Sequence, residues 1–168
     1  LQLVERFTSD GGSVVSAADI TAIKNKEAER QRATERLHLT ITELVYNRVM
    51  RLDPARFTPE SNVLVVSRTD PDGSPRAEIR RGGRPVAVAG INWRSPIFAE
   101  VYVRVEPEGR GRGWGRSVVK AVAAELLRQG VTPLYSVAED NEPSYDLALD
   151  VGFVDTGARE VMAQVVRA

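Results

Sequence analysis

Val105-Glu106-Pro107-Glu108-Gly109-Arg110-Gly111-Arg112-Gly113-Trp114-Gly115-Arg116 stands between two apolar-rich stretches of unlike period. Upstream, Phe98 to Val105 alternates Glu100, Tyr102 and Arg104 with Val101, Val103 and Val105, as a strand with two different faces does. Downstream, Val118, Val119, Val122, Leu126 and Leu127 recur at helical spacing from Trp114 onward, and Gly130 is placed to cap that helix. The run between them is a glycine loop that turns a strand into a helix. Gly111, Gly113 and Gly115 remove Cβ atoms, so backbone amides can approach a ligand closely and adopt positive φ. The first helical turn adds unpaired N–H donors and the positive end of the helix dipole. Such a loop suits a phosphate or diphosphate.

The glycines fall at intervals of two, which excludes the Gly-x-Gly-x-x-Gly spacing of dinucleotide folds. No Gly-Lys-Ser/Thr closes the loop, which excludes a Walker A element. Arg104, Arg110, Arg112 and Arg116 supply positive charge that a plain turn does not need.

Arg110-x-x-Gly113-x-Gly115, preceded by Val105-x-Pro107, resembles the acetyl-CoA signature of the GNAT superfamily of acyl-CoA N-acyltransferases. A second segment, Asn141-x-x-Ser144-x-x-Leu147 ending in Val151-Gly152-Phe153, is similar to a later helix of that family. The resemblance covers residues 105–153. It implies an α/β (α+β) fold with a central mixed, mostly antiparallel twisted sheet, two splayed strands and about four flanking helices. It also implies acetyl-CoA, or another acyl-CoA, as co-substrate without a metal, and direct acyl transfer to an amine in a ternary complex. The expected domain is the whole of 1–168, with an acyl-CoA-binding core at about 98–153.

In this reading the diphosphate lies over the amides of residues 110–116, with Arg110, Gly111, Arg112, Gly113, Gly115 and Arg116 around it. The pantetheine amides pair with the strand end at Val103 and Val105, as an added β-strand. Asn141 and Ser144 face the cofactor arm, and Asn141 serves equally well as a helix N-cap. The family's usual proton donor, a tyrosine after the motif leucine, is replaced by Ala148. Tyr145, one helical turn earlier, is the candidate acid, with Tyr135 a weaker one. Glu100 is the candidate base; the alternative for it is an ion pair with Arg104 on the same strand face. A binding module with no turnover is the rival function.

Composition narrows the remainder. Basic and acidic residues balance at 23 each, so no nucleic-acid partner is expected. There is no cysteine, hence no thiol acyl-enzyme, and one histidine, His38, read as structural. No apolar run approaches the ~20 residues of a membrane span, and no basic-then-apolar leader is visible. A cytoplasmic protein with a small-molecule or peptide amine acceptor, no membrane partner and room for homodimerisation is the expectation.

The rest of the chain reads as an edge strand at 1–7, a helix from Ser16 into the charged stretch to Arg36, and a second helix over about 40–52. Strands follow at 62–68, 77–81, 85–93, 98–105 and 134–137, a helix at 141–151, and one or two final strands within 153–166.

Overall fold

Valine, alanine and other strand-favouring residues fill the segments around the glycine loop, and their alternation decides which side meets the helices. The computed structural model describes residues 4–7, 13–18 and 39–167, with side chains from 41 to 166. In chain order the elements are β1 (Val4–Phe7), β2 (Ser13–Ala18), β3 (Leu39–Leu52), β4 (Val65–Thr69), β5 (Pro75–Arg81), β6 (Arg84–Arg94) and β7 (Phe98–Val105). A 3-10 turn, Pro107–Gly109, leads into α1 (Trp114–Arg128), followed by β8 (Thr132–Ala138), α2 (Glu142–Val151) and β9 (Phe153–Arg167). No described helix is long and apolar enough to cross a membrane.

The chain forms two compact units, one of Leu1–Val49, Ala138–Asp140 and Thr156–Ala168, the other of Met50–Val137 and Asn141–Asp155. In the first, strands lie in the order β1-β2-β9-β3, with β1–β2 and β2–β9 antiparallel. Asn47 Nδ2 donates to Glu160 Oε2 at 3.2 Å, and Arg159 Nε to Glu139 Oε1 at 2.8 Å.

The second unit holds the order β8-β7-β6-β5-β4. Its antiparallel pairs are β4–β5, β5–β6 and β6–β7, whereas β7 and β8 run parallel. Gly82 and Gly83, both at positive φ, close the β5–β6 hairpin. The core of this unit lies between the sheet and the helices. From α1, Val118, Val119, Val122, Ala123 and Leu126 are at most 1% exposed, against Ala77, Ile79, Ala87, Ala89, Ala99 and Val101 of the strands. Each such Val or Leu contributes about 1.5–3 kcal/mol by leaving water. α2 adds Ala148 and Val151, and Phe153 closes the cluster.

Parallel pairing of β7 with β8 spans only Phe98↔Thr132, Ala99↔Pro133 and Glu100↔Leu134. Both strands continue beyond it, β7 to Val105 and β8 to Ala138, without pairing to each other. These are the two splayed strands that the resemblance implies.

Two expectations fail. Residues 40–52 are strand β3, not a helix. The stripe Ile41, Leu44, Val45, Val49 and Leu52 fits a helical period, but Thr40, Ile41, Thr42, Val45, Tyr46 and Val49 are β-branched or aromatic and stiff at χ1. Burial at the strand's end has period two, with Met50 and Leu52 inside and Arg51 exposed. The expected helix from Ser16 begins within β2, which reaches Ala18; the rest of it, and His38, lie outside the described residues. Two α-helices, not about four, are therefore found among the described residues.

Candidate functional site

Residues 106–116 lead from the end of β7 through the 3-10 turn into the first turn of α1. Glu106 N donates to Val86 O at 2.9 Å, which fixes the end of β7 against β6. Gly109 is buried, and a Cβ there would lie 2.9 Å from that same Val86 O, so the position requires glycine. The Arg110 amide donates to Pro107 O at 3.2 Å and closes the 3-10 turn, so it is withdrawn from the expected cradle. The amides of Gly111 to Arg116 have no hydrogen-bond acceptor among the described residues. The next amide, Ser117 N, starts the helical ladder by donating to Gly113 O.

The N-cap of α1 is Gly113 in the left-handed conformation, φ 70°, with no side chain capping the helix. Most helices fill this position with Ser, Thr, Asp or Asn, whose oxygen consumes one or two of the free donors. Here the donors are left without a capping oxygen, beside Gly111 at φ 68°. The arrangement fits an anion with several acceptor oxygens, and a diphosphate is such a group.

Gly115 has a different reason. It is buried, and a Cβ would lie 2.9 Å from Leu147 Cδ1 and 3.0 Å from Val105 Cγ2. Its missing side chain serves the approach of α1 to α2 and β7, while its amide stays in the cradle. Val103 and Val105 point their side chains towards the core, leaving the strand's main chain at the splay.

Of the arginines, Arg104 pairs with Glu106 at 3.3 Å and Arg116 with Glu60 at 3.7 Å. Arg112 folds back, its Nε donating to Glu108 O at 3.0 Å and its guanidinium 5.2 Å from the Trp114 ring centroid. Arg110 is exposed with no ion pair among the described residues.

Glu60, which the sequence did not single out, sits beside the first turns of α1. Ser117 Oγ donates to it at 2.7 Å and Lys120 Nζ is 3.6 Å away. The Ser117 hydrogen bond is the main reason its carboxyl is held below the usual range, helped by Lys120 and Arg116. A single carboxylate in a loop without a periodic pattern gives no sequence signal for this role.

Glu100 is half-buried at the last paired position before the splay. Its partner is Asn92, whose Nδ2 donates to Glu100 Oε1 at 3.0 Å, and not Arg104. Asn92 falls where the β6–β7 register shifts between Ile91 and Trp93, a bulge that re-aims its amide onto the carboxylate. Ile91-Asn92-Trp93-Arg94 alternates regularly in the sequence, so the bulge shows only in the register.

On α2, Asn141 is the N-cap: its Oδ1 accepts from Ser144 N at 3.2 Å, which leaves its Nδ2 unspent by the cap. Ser144 Oγ is 2.7 Å from Tyr135 Oη, so both polar groups of Ser144 are engaged within the fold. Tyr135 is buried at 3% exposure with its ring 5.4 Å from that of Phe153, and burial pushes its hydroxyl up in pKa. Tyr145 is half-buried and packs on the core cluster. Ala148, at the family's tyrosine position, is fully buried.

A cavity of about 410 Å³ lies elsewhere, between residues 67–69, Pro75 and Arg76 and the later turns of α1 at Ala121 to Arg128. That is roughly 12 Å along the helix from the free amides, and it takes no part in the site.

Comparison with known proteins bears on the family and the fold. Residues 79–162 match the family model described as FR47-like protein. The fold is similar to that of a GNAT-family protein from Novosphingobium aromaticivorans, with TM-score 0.69 and 21% identity over 78% of this chain and 68% of that one. A Drosophila protein solved by X-ray crystallography gives TM-score 0.73 and 16% identity over 94% of this chain and 62% of its own. A GCN5-related N-acetyltransferase-like protein from Streptococcus suis gives 0.61 and 10% over 98% and 89%. The chain thus spans 68% and 62% of the length of the first two. At such identities the likeness is one of fold. No curated protein matches the sequence.

Proposed function

The chain belongs to the FR47-like, GNAT-related family, and from that premise we propose that it is an acyl-CoA-dependent N-acyltransferase, with acetyl-CoA as donor. The acceptor is a primary amine of a small molecule or peptide. One observation carries the reading: the amides of Gly111 to Arg116 are unclaimed and uncapped at the start of α1.

Those amides would hold the diphosphate of the co-substrate, with Arg110 and Arg112 as charged forks. Arg116 contributes only by leaving Glu60. The main chain at Val103 and Val105 would bind the pantetheine arm, and Asn141 Nδ2 would reach the same arm. When bound, the co-substrate supplies a thioester carbonyl open to attack by nitrogen. Glu100, oriented by Asn92, accepts the proton that the amine must lose to attack. Tyr145 is the proposed proton donor to the departing sulfur. With acceptor and donor both bound, no acyl-enzyme is needed.

The test is calorimetric titration with acetyl-CoA, followed by a thiol-release assay over a panel of amines. Absence of acetyl-CoA binding would sink the proposal. A second reading, an acyl-CoA-binding module without turnover, is favoured by the buried Ala148 where the family's tyrosine stands. Sustained thiol release with any amine eliminates it.

A further inference from the structure

The face of β5, β6 and β7 that turns away from α1 carries an ordered set of polar groups. Ala77 and Ile79 are 1% exposed and belong to the core cluster beside α1, so alternation sends Arg76 and Glu78 to the opposite face, with Arg76 also bordering the cavity at the sheet's end beside α1. Arg76 pairs with Arg68 of β4, and its neighbour Ala77 with Ala89 of β6, which brings Arg76 level with Gly90. Gly90 in turn pairs with Tyr102. A Cβ on Gly90 would stand 2.8 Å from both Tyr102 Oη and Cε1. The tyrosine ring therefore crosses over β6 through the space this glycine leaves, with its hydroxyl directed towards β5.

Two polar groups on this face make no direct bond, although the charge of Arg76 also helps to hold the Glu78 carboxyl down from beyond ion-pair distance. Among the described residues Tyr102 Oη makes no hydrogen bond, and Arg76 makes neither a hydrogen bond nor an ion pair within 4.0 Å. The carboxylate next to Arg76, Glu78, is taken by Arg80 at 2.8 Å and Arg68 at 3.1 Å. Like charges directly opposed on an antiparallel pair repel, and only Arg68 of this pair has a direct counter-charge. On the same face, two residues before Tyr102, Glu100 is held by Asn92.

We infer that Arg76 and Tyr102 bind a carboxylate on the acceptor, so that the acceptor is an amine carrying its own carboxylate, of the amino-acid class. A guanidinium presents two parallel donors to a carboxylate, and the tyrosine hydroxyl adds a third. Arg76 lies two strands, ~10 Å, from the Tyr102 backbone, and Glu100 ~7 Å further along β7. An acceptor spanning those positions would place its carboxylate at Arg76 and its nitrogen at Glu100. This inference rests on the transfer reaction proposed above, with Glu100 as base.

The experiment compares acceptors in matched sets: free amino acids and dipeptides, their C-terminal amides, the corresponding decarboxylated amines, and phosphoethanolamine. Thiol release is measured for the wild type, Arg76→Gln, Arg76→Lys and Tyr102→Phe. The expected wild-type preference for acid over amide, as kcat/KM, is at least tenfold. It should fall at least tenfold in Arg76→Gln, partly recover in Arg76→Lys, and fall severalfold in Tyr102→Phe. Acetyl-CoA affinity should change less than twofold in each. Equal use of acid and amide by the wild type, an unchanged preference in Arg76→Gln, or preference for the phosphate ester overturns the inference. If no amine turns over, calorimetry of the amino acids against CoA-saturated protein decides separately from catalysis: binding that Arg76→Gln abolishes supports the carboxylate site, and no binding, or binding indifferent to Arg76, refutes it.

Discussion

Leu147 Cδ1 of α2 stands 2.9 Å from where a Cβ on Gly115 of α1 would lie, with Val105 Cγ2 at 3.0 Å on the other side. The last glycine of the loop is thus a contact point of two helices and a strand. Gly115→Ala should destabilise the fold by about 1–3 kcal/mol through overpacking, measured by urea denaturation. Adding Leu147→Ala removes the crowding atoms, so the double variant should lose less than the sum of the two single changes. Strict additivity would show that the helices part without resistance.

Gly113 behaves in the opposite way. A Cβ there meets only Arg116 Nη2 at 3.6 Å, so the fold has room for it, but φ is 70°. Gly113→Ala should cost about 1–2 kcal/mol of stability from the left-handed backbone alone. Gly113→Asn, a residue better suited to that conformation, should recover part of the loss. If a diphosphate lies on these amides, both variants weaken acetyl-CoA binding at least about tenfold, equivalent to 1.4 kcal/mol. Calorimetric affinity equal to wild type in the Asn variant would free the position from any ligand role.

The glycine loop, its flanking strand and both described α-helices are legible in the sequence because each rests on local physics. Positive φ at Gly111 and Gly113, apolar spacing along α1 and the Asn141 cap are set within a few residues of themselves. β3 is misread because its strand character depends on long-range pairing, while Ile41, Leu44, Val45 and Val49 happen to keep a helical stripe. The site is legible where it is backbone and obscure where it is side chains from separate strands. Glu100 is visible on its own strand, yet Asn92, Arg76 and the Tyr102–Gly90 contact become neighbours only through register. Glu60 reaches Ser117 across 57 positions of sequence, a distance at which no spacing rule operates.

Glu100→Gln keeps the shape of the side chain and removes its basicity. As the proposed base, its loss should lower kcat about 100-fold or more. Acetyl-CoA affinity should stay near wild type, since the residue lies off the amides of the loop. Asn92→Ala removes one hydrogen bond of ordinary strength, so a fall of about fivefold in kcat is expected. Steady-state kinetics across pH checks the assignment: an unchanged pH–rate profile in Glu100→Gln excludes it as the base.

Acid should destabilise the fold through named carboxylates. Glu78 is held below its usual range chiefly by the Arg80 hydrogen bond, Glu60 by that of Ser117, and Glu125 is lowered to about 2 by Arg128. A lowered folded-state value means that the unfolded chain binds more protons, so stability rises with pH in this window. The contribution is complete above the ordinary value of 4.5 and is lost as pH falls towards 2. Glu78 should dominate because its side chain is 4% exposed, whereas solvent screens Glu125 at 34%. Thermal unfolding between pH 5 and pH 2.5 should therefore show a shallower slope in Glu78→Gln, along with a loss of about 1.5–3 kcal/mol at neutral pH. An identical slope in the variant would assign acid sensitivity elsewhere.

Alkali should act through Tyr135, whose hydroxyl is buried beside Ser144. Burial raises its pKa above the ordinary 10.0, because the phenolate is disfavoured away from water. The sign is opposite to that of the carboxylates: the folded state holds the proton more tightly, so the stabilising contribution is complete below pH 10 and is lost as pH rises from there through the folded-state value. Tyr135→Phe removes the group that titrates. It should cost about 1 kcal/mol at pH 7 for the lost hydrogen bond to Ser144, and it should be less sensitive than wild type between pH 9.5 and pH 11. Because Tyr135 also packs against Phe153, Tyr135→Leu should lose considerably more at every pH. Parallel alkaline unfolding curves for wild type and the Phe variant would mean that Tyr135 ionises without consequence for the fold.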